Sequence, residues 1–398
     1  MGDPARLYFK DASFDGQLTR SLATTPAHSA DLGECMATAR RVGKLNGQNW
    51  YDAWSRTAAG AKAAAERARA AGDIASTRNA LLRASEYYRQ AFYFVRTDLD
   101  DPRLRSAYAA HVQTFSAAVA LLDHPAERVD IPYEGTILPG YLFAPDDSTI
   151  ARPTLIQPCG YDSTKESGWY DVLPALDRGY CVLVFDGPGQ GQALYEQRLY
   201  FRPDWEAVLT PVLDWLLTRP EVDPARVGLV GRSFGGYLAP RAAAFEHRLA
   251  ALVCDPAQPD MSARLPSGLV GRIAAPVVRA QMKMNENRAE FFGARMATHG
   301  ISTIHDYFAE LRKFTMLPDA AGITCPTLII EAENDFAGGD GKKLRDAMTA
   351  APTELVNLTA AEGADGHCAG LGQEVWAGVV YPWLERILGA QTTANAPA

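Results

Sequence analysis

A short apolar run, Arg226-Val227-Gly228-Leu229-Val230, ends directly in Gly231-Arg232-Ser233-Phe234-Gly235, and small and apolar residues follow at Gly236-Tyr237-Leu238-Ala239. This reads as strand, sharp turn and helix. A serine on such a turn is strained, and its hydroxyl is held above the edge of a sheet while the two glycines let neighbouring backbone pass close by. Short Gly/Ser patterns recur by chance, so the pentapeptide alone says little. The strand before it and the helix after it are what constrain the chain.

Bulk composition sets the frame for that turn. With 398 residues, the chain is long enough for one large α/β domain and a substantial accessory domain. Hydrophobic residues make up 47% and charged residues 22%, as in an ordinary globular protein. The net charge of −8 supplies no basic field for phosphates, so nucleic acid is not an expected partner. Met1 to Arg6 opens no apolar leader and no run reaches a membrane span, so no membrane is expected and the expected compartment is cytoplasmic. Six cysteines lack any C-x-x-C pairing, and Cys181 and Cys254 fall inside apolar runs as small core residues. The seven histidines show no H-E-x-x-H spacing. Neither a metal nor a cofactor is expected.

The first 126 residues read as a helical cap domain. Ala58 to Ala71 is rich in Ala, Lys, Glu and Arg, Ser76 to Val95 carries an apolar face, and Asp101-Pro102 starts a third helix. The texture changes near Arg128. A β-hairpin is expected from Val129-Asp130-Ile131-Pro132-Tyr133 and Thr136 to Phe143. Short apolar runs follow at Thr154 to Gln157, Cys181 to Phe185, Val227 to Val230, Ala251 to Cys254, Leu328 to Ile330 and Leu355 to Leu358, separated by helical stretches. Strands alternating with helices predict a mostly parallel central sheet with helices on both faces, an α/β class. Residues 257–318 break the rhythm and read as a helical lid insertion between core segments 127–256 and 319–390, with 391–398 as a frayed tail. The Met and aromatic residues of 257–318 fit two readings equally, ordinary helix packing or an adaptable apolar pocket wall.

A serine hydroxyl needs an adjacent base, itself oriented by an acid. On this turn the expected chain order is Ser, then Asp or Glu, then His. Asp335, just past the run Thr327 to Ala332, is the preferred acid over Glu333 and Asp340; its structural alternative is a helix cap near Gly341. His367 is the only histidine downstream of it, in the small-residue loop Glu362-Gly363-Ala364-Asp365-Gly366. Asp365 reads as a local loop brace. Acyl chemistry also needs two amides aimed at the developing oxyanion. Phe234 supplies one, and Tyr161, after the permissive Gly160, is the choice for the other. Ser163-Thr164-Lys165-Glu166 reads as a capping box opening a helix, which puts Asp162 beside a positive helix end. Asp162 is either a capping or salt-bridge carboxylate or a hydrogen-bonding partner of substrate or water. Asp186-Gly187-Pro188-Gly189-Gln190-Gly191 ends a strand but lacks the Lys-Ser/Thr of a phosphate loop, so it reads as a structural loop beside the site.

Together these residues resemble the α/β-hydrolase group that holds 2,6-dihydroxypseudooxynicotine hydrolase, the FrsA-like esterases and the fungal yellowish-green polyketide-shortening hydrolases. The resemblance rests on Gly160 to Glu166, Asp186 to Gly191, Gly231 to Gly236, Gly366-His367-Cys368 and the helical stretch Arg83 to Arg89, nearly the whole chain. It implies an α/β-hydrolase fold, a substrate pocket between helical domain and core, a small-molecule substrate and a homodimer. In that group a carboxylate of the oxyanion loop assists C–C hydrolysis, and that role falls on Asp162, although Asp is shorter than the usual Glu and Cys159 replaces a glycine. The expected activity is attack by Ser233 on a ketone, ester or lactone of an aromatic or polyketide-like metabolite. The alternatives are an acyltransferase or cyclase with the same three residues, and a non-catalytic regulatory protein on this fold.

Overall fold

The computed structural model describes residues 6–265 and 268–389. The expected tail at 391–398, the first five residues and positions 266–267 of the expected lid lie outside the described residues. The chain divides into two compact units, Arg6–Asp123 with Leu265–Glu310, and His124–Arg264 with Leu311 onward.

The helical unit opens with α1 (Ala12–Leu22) and α2 (Leu32–Val42), followed by α3 (Gly47–Ala70), α4 (Ile74–Phe92) and α5 (Pro102–Val119). Each has a side-chain N-cap, Asp11, Asp31, Asn46, Asp73 and Asp101 in turn, which satisfies amides that the helix leaves without partners. The cap at Asn46 starts α3 eleven residues before the alanine-rich stretch that signals it in the sequence, and so brings Trp50 and Trp54 into the helix. Both are buried: Trp50 packs on Phe14 and Phe94, whose rings stack at 4.2 Å, and Trp54 packs on Trp50 and Tyr87. His111 is buried too, its Nδ1 2.8 Å from the Ser85 hydroxyl.

The sheet unit holds eight strands: β1 (Ala126–Tyr133), β2 (Thr136–Phe143), β3 (Arg152–Pro158), β4 (Cys181–Phe185), β5 (Val222–Arg232), β6 (Ala251–Asp255), β7 (Thr327–Ala332) and β8 (Thr353–Leu358). Their order is β1-β2-β4-β3-β5-β6-β7-β8. β1 and β2 are antiparallel to their neighbours and every later pair is parallel. Its helices are α6 (Trp169–Leu176), α7 (Gly191–Tyr195), α8 (Glu206–Leu216), α9 (Gly235–Ala243), α13 (Gly341–Ala347) and α14 (Gln373–Leu388). Leu252 and Cys254 of β6 join the cluster formed by α8 and α9, while Val253, between them, points to the opposite face and is also fully buried. Burial on both faces is why the central strands read as unbroken apolar runs rather than as alternation. The α/β architecture expected from the sequence is the one observed.

The stretch set apart in the sequence as a lid divides differently. Residues 257–264 and 311–318 belong with the sheet, whereas Leu265–Glu310 groups with the amino-terminal helices. It carries α10 (Gly268–Met284), α11 (Glu286–Thr298) and most of α12 (Ile304–Leu311). The Glu290 carboxylate accepts the Arg96 amide at 2.8 Å and the Thr97 hydroxyl at 2.6 Å, and a Cβ on Gly293 would run into Thr97. Contacts across nearly 200 positions leave no local pattern to read. Replacing Glu290 by Ala should leave the Arg96 amide without its acceptor and cost about 1–3 kcal/mol. Hydrogen exchange should then speed selectively in α11; unchanged protection over Glu286–Thr298 would contradict this anchoring.

Candidate active site

β5 ends at Arg232 and α9 begins at Gly235, so Ser233 sits on a turn between them with φ +57. A serine in the left-handed region costs about 1 kcal/mol or more, and it persists where surrounding bonds over-determine it. Here they do. The Ser233 amide donates to the Asp255 carbonyl at 2.7 Å, and the Ser233 carbonyl accepts the Gly236 amide at 2.9 Å and the Gln258 side chain at 2.5 Å. The close approach also falls on particular glycines. A Cβ on Gly231 would strike the Gly235 carbonyl, and one on Gly236 would strike the Pro256 carbonyl. Gly235 itself has room, its nearest neighbour being Pro158 O at 3.9 Å. The steric demand therefore rests on Gly231, inside the pentapeptide, and on Gly236, just after it, and not on Gly235.

β7 carries the acid loop. Asn334 turns the chain at φ +59, and Asp335 follows at 2% exposed. Its Oδ1 lies 2.8 Å from His367 Nδ1 and accepts the Ala337 amide, while Oδ2 accepts the Cys368 amide at 3.0 Å. The helix-capping part falls instead to Glu331, which accepts the Gly339 and Gly341 amides. Of the other carboxylates weighed, Glu333 accepts the Ala360 amide and Asp340 pairs with Lys343. Asp365 accepts the Asn334 side-chain amide at 2.9 Å. On the far side of the imidazole, His367 Nε2 is 2.8 Å from Ser233 Oγ. Thus β5, β7 and the loop after β8 bring Ser233, Asp335 and His367 into one continuous hydrogen-bonded line. Asp335, His367 and Cys368 also have donor atoms within 4.8 Å of one another, but both imidazole nitrogens are already engaged along that line.

The electrostatics follow from the burial. Desolvation disfavours the imidazolium, yet the Asp335 carboxylate outweighs it and holds His367 well above the ordinary histidine value. Burial likewise pushes Asp335 upward, and the imidazole with its hydrogen bonds reverses that and leaves the carboxyl below the usual range. Such a line can move a proton from the serine hydroxyl to Nε2 while Asp335 stays charged.

The loop after β3 borders the serine. A Cβ on Gly160 would lie 3.0 Å from Ser233 Cβ, and the Tyr161 ring packs on Phe234 at 4.8 Å. Phe234 sits at the start of α9, its amide donating to no protein acceptor among the described residues. Asp162 follows in the same turn, half-buried. The capping box is shifted by one residue from its expected place. Thr164, in extended conformation, and Ser167 cap each other, and a 3₁₀ turn, Lys165–Gly168, follows and runs directly into α6. Glu166 is taken up instead by a buried ion pair with Lys165 at 2.7 Å.

Two features of the site have no signature in the sequence. Arg232, buried beneath the turn, bonds Asp255 at 3.1 Å, the Asp171 carboxylate and the Cys368 carbonyl at 2.8 Å, and lies over the Trp376 ring. It joins the serine strand to the histidine loop 136 positions away. Burial raises the Asp255 carboxyl to about 6 even with Arg232 beside it. Phe336 is 72% exposed with its ring 4.5 Å from that of His367. Only its place next to the acid could have drawn notice to it.

A family model described as the alpha/beta hydrolase family matches residues 155–371, and one described as FrsA-like esterase matches residues 26–259. The chain belongs to the α/β-hydrolase family, in its FrsA-like branch. It is 35% identical to hydrolase LUC6 of Fusarium sp, over 82% of this chain and 84% of that one. It is 32% identical to 20-hydroxy-prefusarin hydrolase FUS2 of Gibberella moniliformis, over 95% and 97%. The fold matches that of a solved 2,6-dihydroxy-pseudo-oxynicotine hydrolase with a TM-score of 0.74 at 23% identity, over 94% and 98% of the two chains. This α/β-hydrolase therefore carries the helical unit within the matched length and not as an unrelated addition.

Two outcomes follow from the geometry. Gly236→Ala should lose about 1–3 kcal/mol by overpacking, measured by urea unfolding, while Gly235→Ala stays within about 0.5 kcal/mol; equal losses would refute the assignment of the close approach. The His367 ring, followed by NMR, should titrate above pH 6.5 in the parent and at lower pH in Asp335→Asn, where burial acts without the carboxylate. An unchanged midpoint would mean that Asp335 does not set it.

Proposed function

We propose that this α/β-hydrolase is a serine hydrolase that opens a carbonyl of a small aromatic or polyketide-like metabolite, an ester, lactone or β-diketone, through an acyl-enzyme. The observation that carries the reading is the pair of 2.8 Å contacts at His367, Nε2 to Ser233 Oγ and Nδ1 to Asp335. The choice of substrate class is supported by the name of the relative FUS2, whose substrate is 20-hydroxy-prefusarin.

In this reading Ser233 Oγ attacks the carbonyl carbon as His367 Nε2 takes its proton, and Asp335 holds the imidazolium that results. Charge builds on the carbonyl oxygen and is met by the amides of Phe234 and Tyr161. The tetrahedral adduct collapses, the bond to the leaving group breaks, and His367 returns its proton to that group. For an ester the leaving atom is oxygen; for a β-diketone it is an enolate carbon, which Asp162 orients to receive the proton that His367 returns. Water then adds to the acyl-enzyme with His367 as base, and the acid leaves from Ser233.

Ser233→Ala and His367→Ala should each lower kcat on the order of 10⁴-fold or more, and in ¹⁸O-labelled water one labelled oxygen should enter the acid. Full turnover by Ser233→Ala would sink the reading; an ester product lacking the label would replace hydrolysis by acyl transfer or cyclisation. Asp162→Asn should slow cleavage of a β-diketone more than that of an ester of the same acid, and equal effects would remove Asp162 from the leaving-group step.

A further inference from the structure

The loop Asp186 to Gly191 has no part in the reading above, yet it encloses the loop that borders Ser233. Gln190 is 1% exposed. Its Oε1 accepts the Gly187 amide at 2.9 Å, and that bond assigns the two ends of the side chain, since a backbone N–H can only donate. The NH₂ end therefore faces two carbonyls, those of Cys159 and, at 3.4 Å, Gly160. The same loop holds the next stretch of chain through Asp186, which is fully buried. One carboxylate oxygen accepts the Lys165 amide at 2.7 Å, and the other accepts the Gln192 amide at 2.8 Å and meets Lys165 Nζ at 3.0 Å.

A trans peptide is planar, so the carbonyl of one residue and the N–H of the next point in opposite directions. Drawing the Cys159 and Gly160 oxygens onto one amide group turns the Gly160 and Tyr161 N–H bonds away from Gln190. Gly160 lies against Ser233, with no more than van der Waals space between them. The geometry points to Gln190 as a positioning residue that sets the direction of the oxyanion-loop amides, with Asp186 fixing the far end of that loop. The role rests on the serine-hydrolase reading, because it has no meaning unless an oxyanion forms at Ser233. It gives the Asp-Gly-Pro-Gly-Gln-Gly sequence a use in catalysis that is not phosphate binding.

The test separates orientation of the loop from simple support of the fold. Gln190→Met keeps the length and removes both polar ends; Gln190→Glu keeps an acceptor for Gly187 and loses the amide donor. With p-nitrophenyl butyrate as substrate, each variant should lose about 10- to 100-fold in kcat with KM within about twofold, somewhat less than deletion of a donor outright. An aliphatic trifluoromethyl ketone, which forms a tetrahedral oxyanion on serine, should weaken by the same factor as kcat/KM. Butyrate, a product with no such oxyanion, should inhibit as before. Thermal melting shows which variant is folded, and Gln190→Glu serves if Gln190→Met is not. Parent-like kcat and trifluoromethyl ketone inhibition in a folded variant would overturn the inference, as would an equal loss of affinity for butyrate. Ser233→Ala run alongside tells the two readings apart. If it remains active, the serine reading fails; if it is dead while the Gln190 variants are unaffected, only the positioning role fails.

Discussion

The hydrogen bond from the Ser233 amide to the Asp255 carbonyl is the constraint on which the site depends. It fastens the turn after β5 to the end of the neighbouring parallel strand, and so holds a non-glycine residue at φ +57. Because the strands run parallel, their carboxyl ends lie along one edge of the sheet, and loops after β3, β5, β7 and β8 all emerge there. Ligand sites of open α/β sheets gather at that edge for the same topological reason. The turn can close because Gly231 and Gly236 carry no side chain where the Gly235 and Pro256 carbonyls pass.

Charge is distributed around this turn in two buried groups and one half-buried line. Beneath it, Arg232 is shared between the Asp255 and Asp171 carboxylates and also bonds the carbonyl of Cys368. Beside it, Lys165 lies between Asp186 and Glu166. Neither group is strong evidence for stability, since burying ions costs as much as pairing them returns. Their value is geometric: each makes several directional bonds to loops from distant parts of the chain. The line from Asp335 through His367 to Ser233 differs, because its imidazole is 29% exposed and so remains open to a reacting molecule.

Much of this was legible residue by residue. The central strands β3 to β7 announce themselves because a sheet covered on both faces needs apolar runs, and β1 and β2 stand out as a hairpin. Asp335 and His367 follow from chain order and from their places after β7 and β8. The helical segments are less legible. α1 and α2 are short, with few apolar residues to mark a face, and the start of α3 lies in a stretch where Trp50 and Trp54 replace alanine. Ser163 and Thr164 are both competent caps, and only the extended backbone of Thr164 decides between them.

By itself the amino-acid sequence determined the α/β layering, the strained serine and the order of the three residues that meet there, since these depend on local apolar periodicity and on residues next to turns. The tertiary structure alone decided that Leu265–Glu310 packs with helices from the other end of the chain, that Gly236 rather than Gly235 carries the tight approach, and that Arg232 and Gln190 are tied to loops tens of residues away. Those choices come from contacts between segments that are distant in sequence. A buried guanidinium or amide has the same one-letter code as an exposed one, and only the fold tells which carbonyls it will meet.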